Sequence, residues 1–139
     1  MNLNAEAKEL LSQLIEHYTP PTSFLDEGDE DEENVLDMDP TYLDFSRKSA
    51  EYIENTLREF GDIYELSMEI LSSPDMRRFM RQVAYYLGET ISRAVGSPID
   101  WLAYEDAKRL PQYANDPNFQ NNLTTEVTGV INGHPIQAL

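Results

Sequence analysis

Apolar side chains recur every three or four positions through the first part of the chain, which is the spacing of one helical face. The first such stretch predicts a helix from about Ala5 to Tyr18, with Asn4 as its N-cap residue. Thr19-Pro20-Pro21 ends it, because proline has no N–H and restricts the residue before it. The apolar face of this helix comprises Leu3, Ala7, Leu10, Leu11, Leu14 and Tyr18.

The same periodicity predicts two further helices before residue 72. One begins near Pro40, with Asp39 as N-cap, and Gly61 is a natural C-terminal stop. The other is short and runs from about Asp62 to Leu71. The apolar side of the longer helix comprises Tyr42, Phe45, Ile53, Leu57 and Phe60.

The fourth helix has the clearest boundaries. Ser73 fits the N-cap, Pro74 fits the first helical position, and Asp75 complements the positive end of the helix dipole. Gly96 is the predicted C-terminal stop. The apolar stripe between these ends comprises Met76, Phe79, Met80, Val83, Leu87, Ile91 and Val95.

The pattern changes after Gly96. Residues 97–104 are compatible with an extended strand, residues 104–110 with a helical turn, and residues 111–122 with a loop. Asn132-Gly133 follows a β-branched stretch, which predicts a hairpin with Pro135 at a strand edge.

These elements predict an α+β fold that is mostly α, with about four helices followed by a small C-terminal antiparallel hairpin or sheet. A length of 139 residues suits one domain. Within it we expect an acidic loop between helices over residues 19–39 and a β-containing part over residues 97–139.

The charge of the chain is strongly negative. It has 26 acidic and 10 basic residues, for a formal net charge of −16. This balance disfavours direct binding of nucleic-acid phosphates and attraction to an anionic membrane. The absence of cysteine excludes disulfides and thiolate metal sites.

Much of the excess lies in one acidic run, Asp26–Asp39, where nine of fourteen positions are acidic. A calcium loop starting at Asp29 fails, because Asn34 stands where the turn glycine belongs and Pro40 where the bidentate glutamate belongs. The run is then either a solvated loop that keeps the protein soluble or a contact for a basic partner. The candidate partner-binding residues are Asp26, Glu27, Asp29, Glu30, Asp31, Glu32, Glu33, Asp37 and Asp39.

A basic patch lies on the first turns of the fourth helix, at Arg77, Arg78 and Arg81. Arginine near a helix N-terminus opposes the helix dipole, so a compensating partner is expected. That partner is either internal, on the acidic side of the second helix or in the acidic run, or an external acidic ligand.

No catalytic constellation stands out. The two histidines, His17 and His134, are far apart in the sequence and lack spaced carboxylates, so each is expected to be an ordinary exposed residue. We therefore predict no catalytic residues, no metal and no cofactor, with an unrecognised active site as the alternative. The N-terminus lacks a signal-peptide pattern and no apolar stretch is long enough to span a membrane, which favours a cytoplasmic location.

Several residues around the end of the fourth helix suit either the core or an interface. Tyr86 and Trp101 favour the core, whereas Tyr85 and Tyr104 are possible surface anchors. Gly88 costs about 1 kcal/mol in a helix interior, so we expect a bulky ring or another backbone to pack against it. Glu89 is off the apolar stripe, where it is placed either to accept hydrogen bonds from backbone N–H groups or to pair with Arg93 at i+4.

The stretch Tyr86-Leu87-Gly88-Glu89, followed by Gly96 and Trp101, resembles small bacterial immunity-type proteins of toxin–immunity pairs. The resemblance implies a non-catalytic inhibitor that binds a cognate toxin or effector. It carries over no catalytic residue.

Acidity suits an inhibitor of a basic toxin, because complementary fields speed association. The first hypothesis is therefore a cytoplasmic immunity protein that neutralises its toxin through an acidic surface. The alternative is an acidic adaptor or nucleic-acid mimic that binds a basic protein. The oligomeric state stays open.

Overall fold

The computed structural model describes residues 2–22, 36–63, 72–111, 113–117 and 127–136. In these ranges four α-helices and an antiparallel three-stranded sheet confirm the predicted α+β class, mostly α. Most of the predicted third helix, Asp62–Leu71, lies outside the described residues. Of the loop predicted over residues 111–122, residues 112 and 118–122 also lie outside them. The helices are α1 (Leu3–Glu16), α2 (Arg47–Ile63), α3 (Pro74–Val95) and α4 (Tyr104–Ala107), and the strands are β1 (Ile99–Ala103), β2 (Val127–Ile131) and β3 (His134–Ile136).

Helix α1 buries the predicted face but begins earlier than predicted. Its N-cap is Asn2, whose side chain accepts a hydrogen bond from the Ala5 N–H at 3.2 Å. The assignment of Asn4 as N-cap is wrong, because the Asn4 Oδ1 instead accepts the Trp101 N–H of β1 at 2.9 Å. The fully buried positions of the face are Leu3, Ala7, Leu10 and Leu14.

The predicted second helix is interrupted. Asp39 is the N-cap and Pro40 the first residue, as predicted, but they begin a short 3-10 turn, Pro40–Tyr42. Helix α2 starts only at Arg47 and continues through Gly61 to Ile63, so the predicted stop at Gly61 is wrong. The interruption falls at Phe45, whose positive φ of 61° is incompatible with a continuous right-handed helix. We call residues 36–46 the strap.

Helix α3 has the predicted boundaries. Pro74 occupies its first turn, and Gly96 adopts the left-handed conformation, with φ of 72°, that ends it. Met76, Phe79 and Val83 are buried as predicted. The stripe nevertheless ends before Val95, which is 57% exposed.

The C-terminal sheet has the order β1-β2-β3, with every pair antiparallel. Asn132 and Gly133 form the predicted turn, with φ of 53° and 77°. Pro135 lies in β3, an edge strand of the sheet, as predicted. Strand β1 supports the hairpin from its other side and places Trp101 opposite Gly129.

Helix α3 lies between two hydrophobic clusters and contributes to both. On one side, Tyr86 joins residues of α1, α2 and the strap, including Leu14, Ile53 and Leu36. On the other side, Tyr85 joins α1 residues and Trp101 of the sheet. Adjacent tyrosines thus face opposite clusters, which explains why α3 is buried nearly all round from Gln82 to Gly88.

Within the described ranges, none of the helices is both long enough and apolar enough to span a membrane.

Candidate partner-binding surface

The strap includes the last four residues of the acidic run, and its first side chains alternate between core and solvent. Leu36 and Met38 are buried, with 0% and 3% exposure, whereas Asp37 and Asp39 are exposed. Leu43 is buried farther along the strap. The apolar residues therefore fix the end of the acidic run to the helical core and leave its last two carboxylates on the surface.

The 3-10 turn of the strap carries an exposed aromatic side chain, Tyr42, and follows the carboxylate of Asp39. Tyr42 is 60% exposed, and its ring packs edge-on against Tyr52 of α2, with 5.3 Å between ring centroids. The Asp39 carboxylate accepts hydrogen bonds from the backbone and side chain of Thr41, at 3.0 and 2.8 Å. Tyrosine is enriched at protein interfaces, and carboxylates complement a cationic surface.

Local hydrogen bonds lower the pKa of two exposed strap carboxylates. Those from the Thr41 backbone and hydroxyl hold the pKa of Asp39 below its usual range. Those from the side chain and backbone of Ser46 lower the pKa of Asp44 in the same way. Both groups are exposed, so the strap carries their full negative charge at neutral pH.

Tyrosine hydroxyls contact the strap backbone at three points. Tyr18 donates to the Leu36 carbonyl, and the pKa of Tyr18 is raised, first by burial and then by the nearby Asp37. The Tyr52 hydroxyl accepts the Asp39 N–H at 3.0 Å, and the Tyr86 hydroxyl accepts the Phe45 N–H at 2.8 Å.

Phe45, at the positive-φ position of the strap, is held between two groups of α3. Its ring stacks on that of Tyr86, with centroids 4.8 Å apart and planes at 20°. The guanidinium carbon of Arg93 lies 3.7 Å from the centroid of the Phe45 ring. Arg93 also pairs with Glu89 at 3.1 Å, which confirms the predicted i+4 pair.

Only part of the predicted acidic site falls within the described residues. Asp37 and Asp39 lie on the exposed side of the strap. The other candidates lie outside the described residues, namely Asp26, Glu27, Asp29, Glu30, Asp31, Glu32 and Glu33.

The basic patch of α3 has internal partners, but on a different element from those predicted. The Arg81 Nε lies 2.9 Å from the Glu6 carboxylate of α1, and Tyr85 donates to the same oxygen at 2.7 Å. Arg78 donates to Gln13, also on α1. The partners described for these two arginines thus lie on α1, and most of the acidic run lies outside the described residues.

Tyr85 is a core residue and not a surface anchor. It has 0% exposure, and its ring meets Trp101 edge-on at 4.8 Å. The prediction of Tyr85 as a surface anchor is therefore wrong, whereas the core predictions for Tyr86 and Trp101 are confirmed.

Gly88 confirms the predicted close approach of a ring. A Cβ atom at this position would lie 2.5 Å from Cη2 and Cζ2 of Trp101. Gly129 of β2 borders the same indole, because a Cβ there would lie 3.2 Å from Cζ3. The two glycines thus leave the space that Trp101 fills between α3 and the sheet.

Tyr104 is half-buried in a separate small cluster with Ala107 and Tyr113. The Lys108 ammonium lies 5.3 Å from its ring centroid.

The two histidines are exposed, and His17 is the C-cap residue of α1. In the described part of the chain, no group of three or more His, Asp or Glu side chains is arranged to hold a metal ion.

Several residues in or next to the strap have no predicted role in the site. The sequence places Tyr42 on the core side of a long helix, but it lies on the exposed 3-10 turn. Tyr18, Tyr52 and Asp44 were not identified as site residues. The alternation of apolar and acidic residues from Leu36 to Asp39 matches the observed burial, but four such residues do not by themselves distinguish a docked segment from a short strand.

No protein-family model, no curated protein and no solved structure matches this chain.

Proposed function

We propose that the protein is a non-catalytic immunity protein that acts in the bacterial cytoplasm and neutralises a cognate toxin or effector by stoichiometric binding. The binding surface consists of the acidic run and the strap that continues it. The partner carries a basic surface, such as that of an enzyme acting on nucleic acid.

The observation that carries this proposal is the attachment of the acidic run to the body of the protein. The strap is fixed by buried Leu36, Met38 and Leu43, so the last carboxylates of the run are held on a structured surface. It presents Asp37, Asp39 and the ring of Tyr42 to solvent. A fixed aromatic anchor beside ionised carboxylates supports binding of a cationic partner.

The placement of positive charge agrees with this surface. Arg47, Arg81 and Arg93 each pair with a carboxylate of the same chain, at Glu51, Glu6 and Glu89 respectively. With 26 acidic and 10 basic residues in the chain, the net charge that an approaching partner meets is negative.

The proposal is tested by capturing the partner on the tagged protein from its native cells, at low and high salt, and by measuring association with the purified partner. The test variant replaces the seven acids from Asp26 to Glu33 with the corresponding amides. The control variant has the same net charge but replaces seven other exposed acids, namely Glu9, Glu16, Glu54, Glu59, Asp62, Glu105 and Asp106.

We expect one stoichiometric partner whose association with the wild-type protein slows as salt is added. At low salt the test variant should associate at least about tenfold more slowly, because electrostatic steering acts on the rate of encounter. The control variant should stay within about twofold to threefold of the wild type.

Equal association of the test variant and the wild type would contradict the role of the acidic run. Equal slowing of both variants would show that net charge matters and position does not. Several weak partners that dissociate in salt would favour the adaptor or mimic instead.

A further inference from the structure

The three tyrosines that contact the strap come from three different parts of the helical body. Tyr18 follows α1, Tyr52 belongs to α2 and Tyr86 belongs to α3. Each contact uses the side-chain hydroxyl and a main-chain group of the strap. The position of the strap backbone therefore depends on all three parts of the body at once.

The Tyr86 contact is part of a continuous hydrogen-bond chain. Its hydroxyl accepts from the Phe45 N–H at 2.8 Å and donates to the Ser49 Oγ at 2.6 Å. Ser49 in turn donates to the Ser46 carbonyl at 2.6 Å. Tyr86 and Ser49 are buried, so a lost link would leave polar groups without water to replace it.

The hydrogen-bond chain holds Phe45 in a backbone conformation with positive φ. A phenylalanine is seldom found in the left-handed region, and here its N–H bonds to Tyr86 while its ring contacts both Tyr86 and Arg93. The end of the strap is thus fixed by contacts with α3 and not by its own backbone preference.

We propose that Tyr18, Tyr52 and Tyr86 are positioning residues whose three hydroxyl contacts form cooperatively. Together these contacts, which we call the latch, hold the strap against the helices as a single unit before any partner binds. In the latched form the carboxylates of Asp37 and Asp39 have a preset arrangement, which lowers the ordering cost of association. This benefit to binding rests on the proposed function, whereas the latch itself is a property of the free protein.

The latch is tested on the free protein by NMR-detected amide hydrogen exchange in the full chain. The informative amides are those of Asp39 and Phe45, which donate hydrogen bonds to the hydroxyls of Tyr52 and Tyr86 respectively. The amide of Val83, in the core of α3, is the internal reference. The variants are Tyr52→Phe and Tyr86→Phe, each of which removes one hydroxyl and keeps the ring.

We expect each variant to accelerate exchange of both strap amides by about tenfold relative to Val83, as expected for loss of one hydrogen bond. Tyr42→Phe is the matched control, because it removes a hydroxyl on the same surface. The exchange rates of both amides should be unchanged in this variant. Tyr18→Phe, which removes the contact at the far end of the strap, should accelerate the same two amides.

Acceleration confined to the one amide next to the removed hydroxyl would overturn the proposal, because the hydrogen bonds would then be independent. Equal acceleration of Val83 would also overturn it, because the tyrosines would then stabilise the whole fold. Neither result requires a partner, so failure of the latch is distinguishable from failure of the proposed function.

Discussion

Replacing Gly88 with alanine is expected to lower the free energy of unfolding by about 1–3 kcal/mol. Helix propensity alone predicts the opposite sign, with a gain of about 1 kcal/mol for alanine in a helix interior. The contacts decide the sign, because the new Cβ would lie 2.5 Å from two carbons of Trp101 and 2.9 Å from Cδ1 of Ile99. Urea denaturation followed by circular dichroism measures the change.

A double-mutant cycle with Trp101→Phe shows whether the indole causes the loss. The phenylalanine ring lacks the outer ring of the indole, which carries Cη2 and Cζ2, so Gly88→Ala should cost less in that background. We expect a coupling energy of at least about 0.5 kcal/mol between the two changes. The same cost for Gly88→Ala in both backgrounds would contradict the close packing of Gly88 against Trp101.

Replacing Leu36 with alanine is expected to lower the free energy of unfolding by about 2–5 kcal/mol. Leu36 has 0% exposure and packs in the same cluster as Leu14 and Tyr86, although it lies just beyond the most acidic part of the chain. Its removal leaves a cavity where the strap meets the helices. Urea denaturation of the variant gives the change directly.

Ile15→Ala is the matched control for Leu36→Ala. Ile15 is an aliphatic residue of similar size but is 37% exposed, so its loss should cost less than about 1 kcal/mol. A loss below about 1 kcal/mol for Leu36→Ala as well would show that the strap is not part of the core.

Elements with local stop and start signals were predictable from the sequence. Ser73-Pro74 and Gly96 bound helix α3, because proline favours the first turn and glycine adopts the left-handed end conformation. Asn132-Gly133 fixed the hairpin for a similar reason. The packing of a ring on Gly88 followed from the cost of glycine in a helix interior.

Elements set by distant contacts were not predictable. Asn4 is an acceptable N-cap by type, but its side chain binds the backbone of Trp101, 97 residues away. The helix predicted from Pro40 is interrupted because Phe45 is held by Tyr86, 41 residues away. One sequence carries no local signal for such pairs, so both the strap and its tyrosine contacts emerge only from the structure.

The same limit applies to the candidate site. The acidic run was evident from composition, and the sequence indicated which residues carry the charge. The sequence did not indicate that Asp37 and Asp39 belong to a docked segment or that Tyr42 is exposed beside them. These features depend on burial of Leu36, Met38 and Leu43 against helices that are remote in sequence.

Neutralisation of the partner tests the proposed function most directly. The toxic activity of the purified partner is measured while the protein is added in increasing amounts, and the same titration is repeated with the amide variant of Asp26 to Glu33. We predict that activity falls to zero at a stoichiometric ratio with the wild-type protein and that the variant requires a large excess. Partner activity that persists at saturation by the wild-type protein would contradict the immunity function.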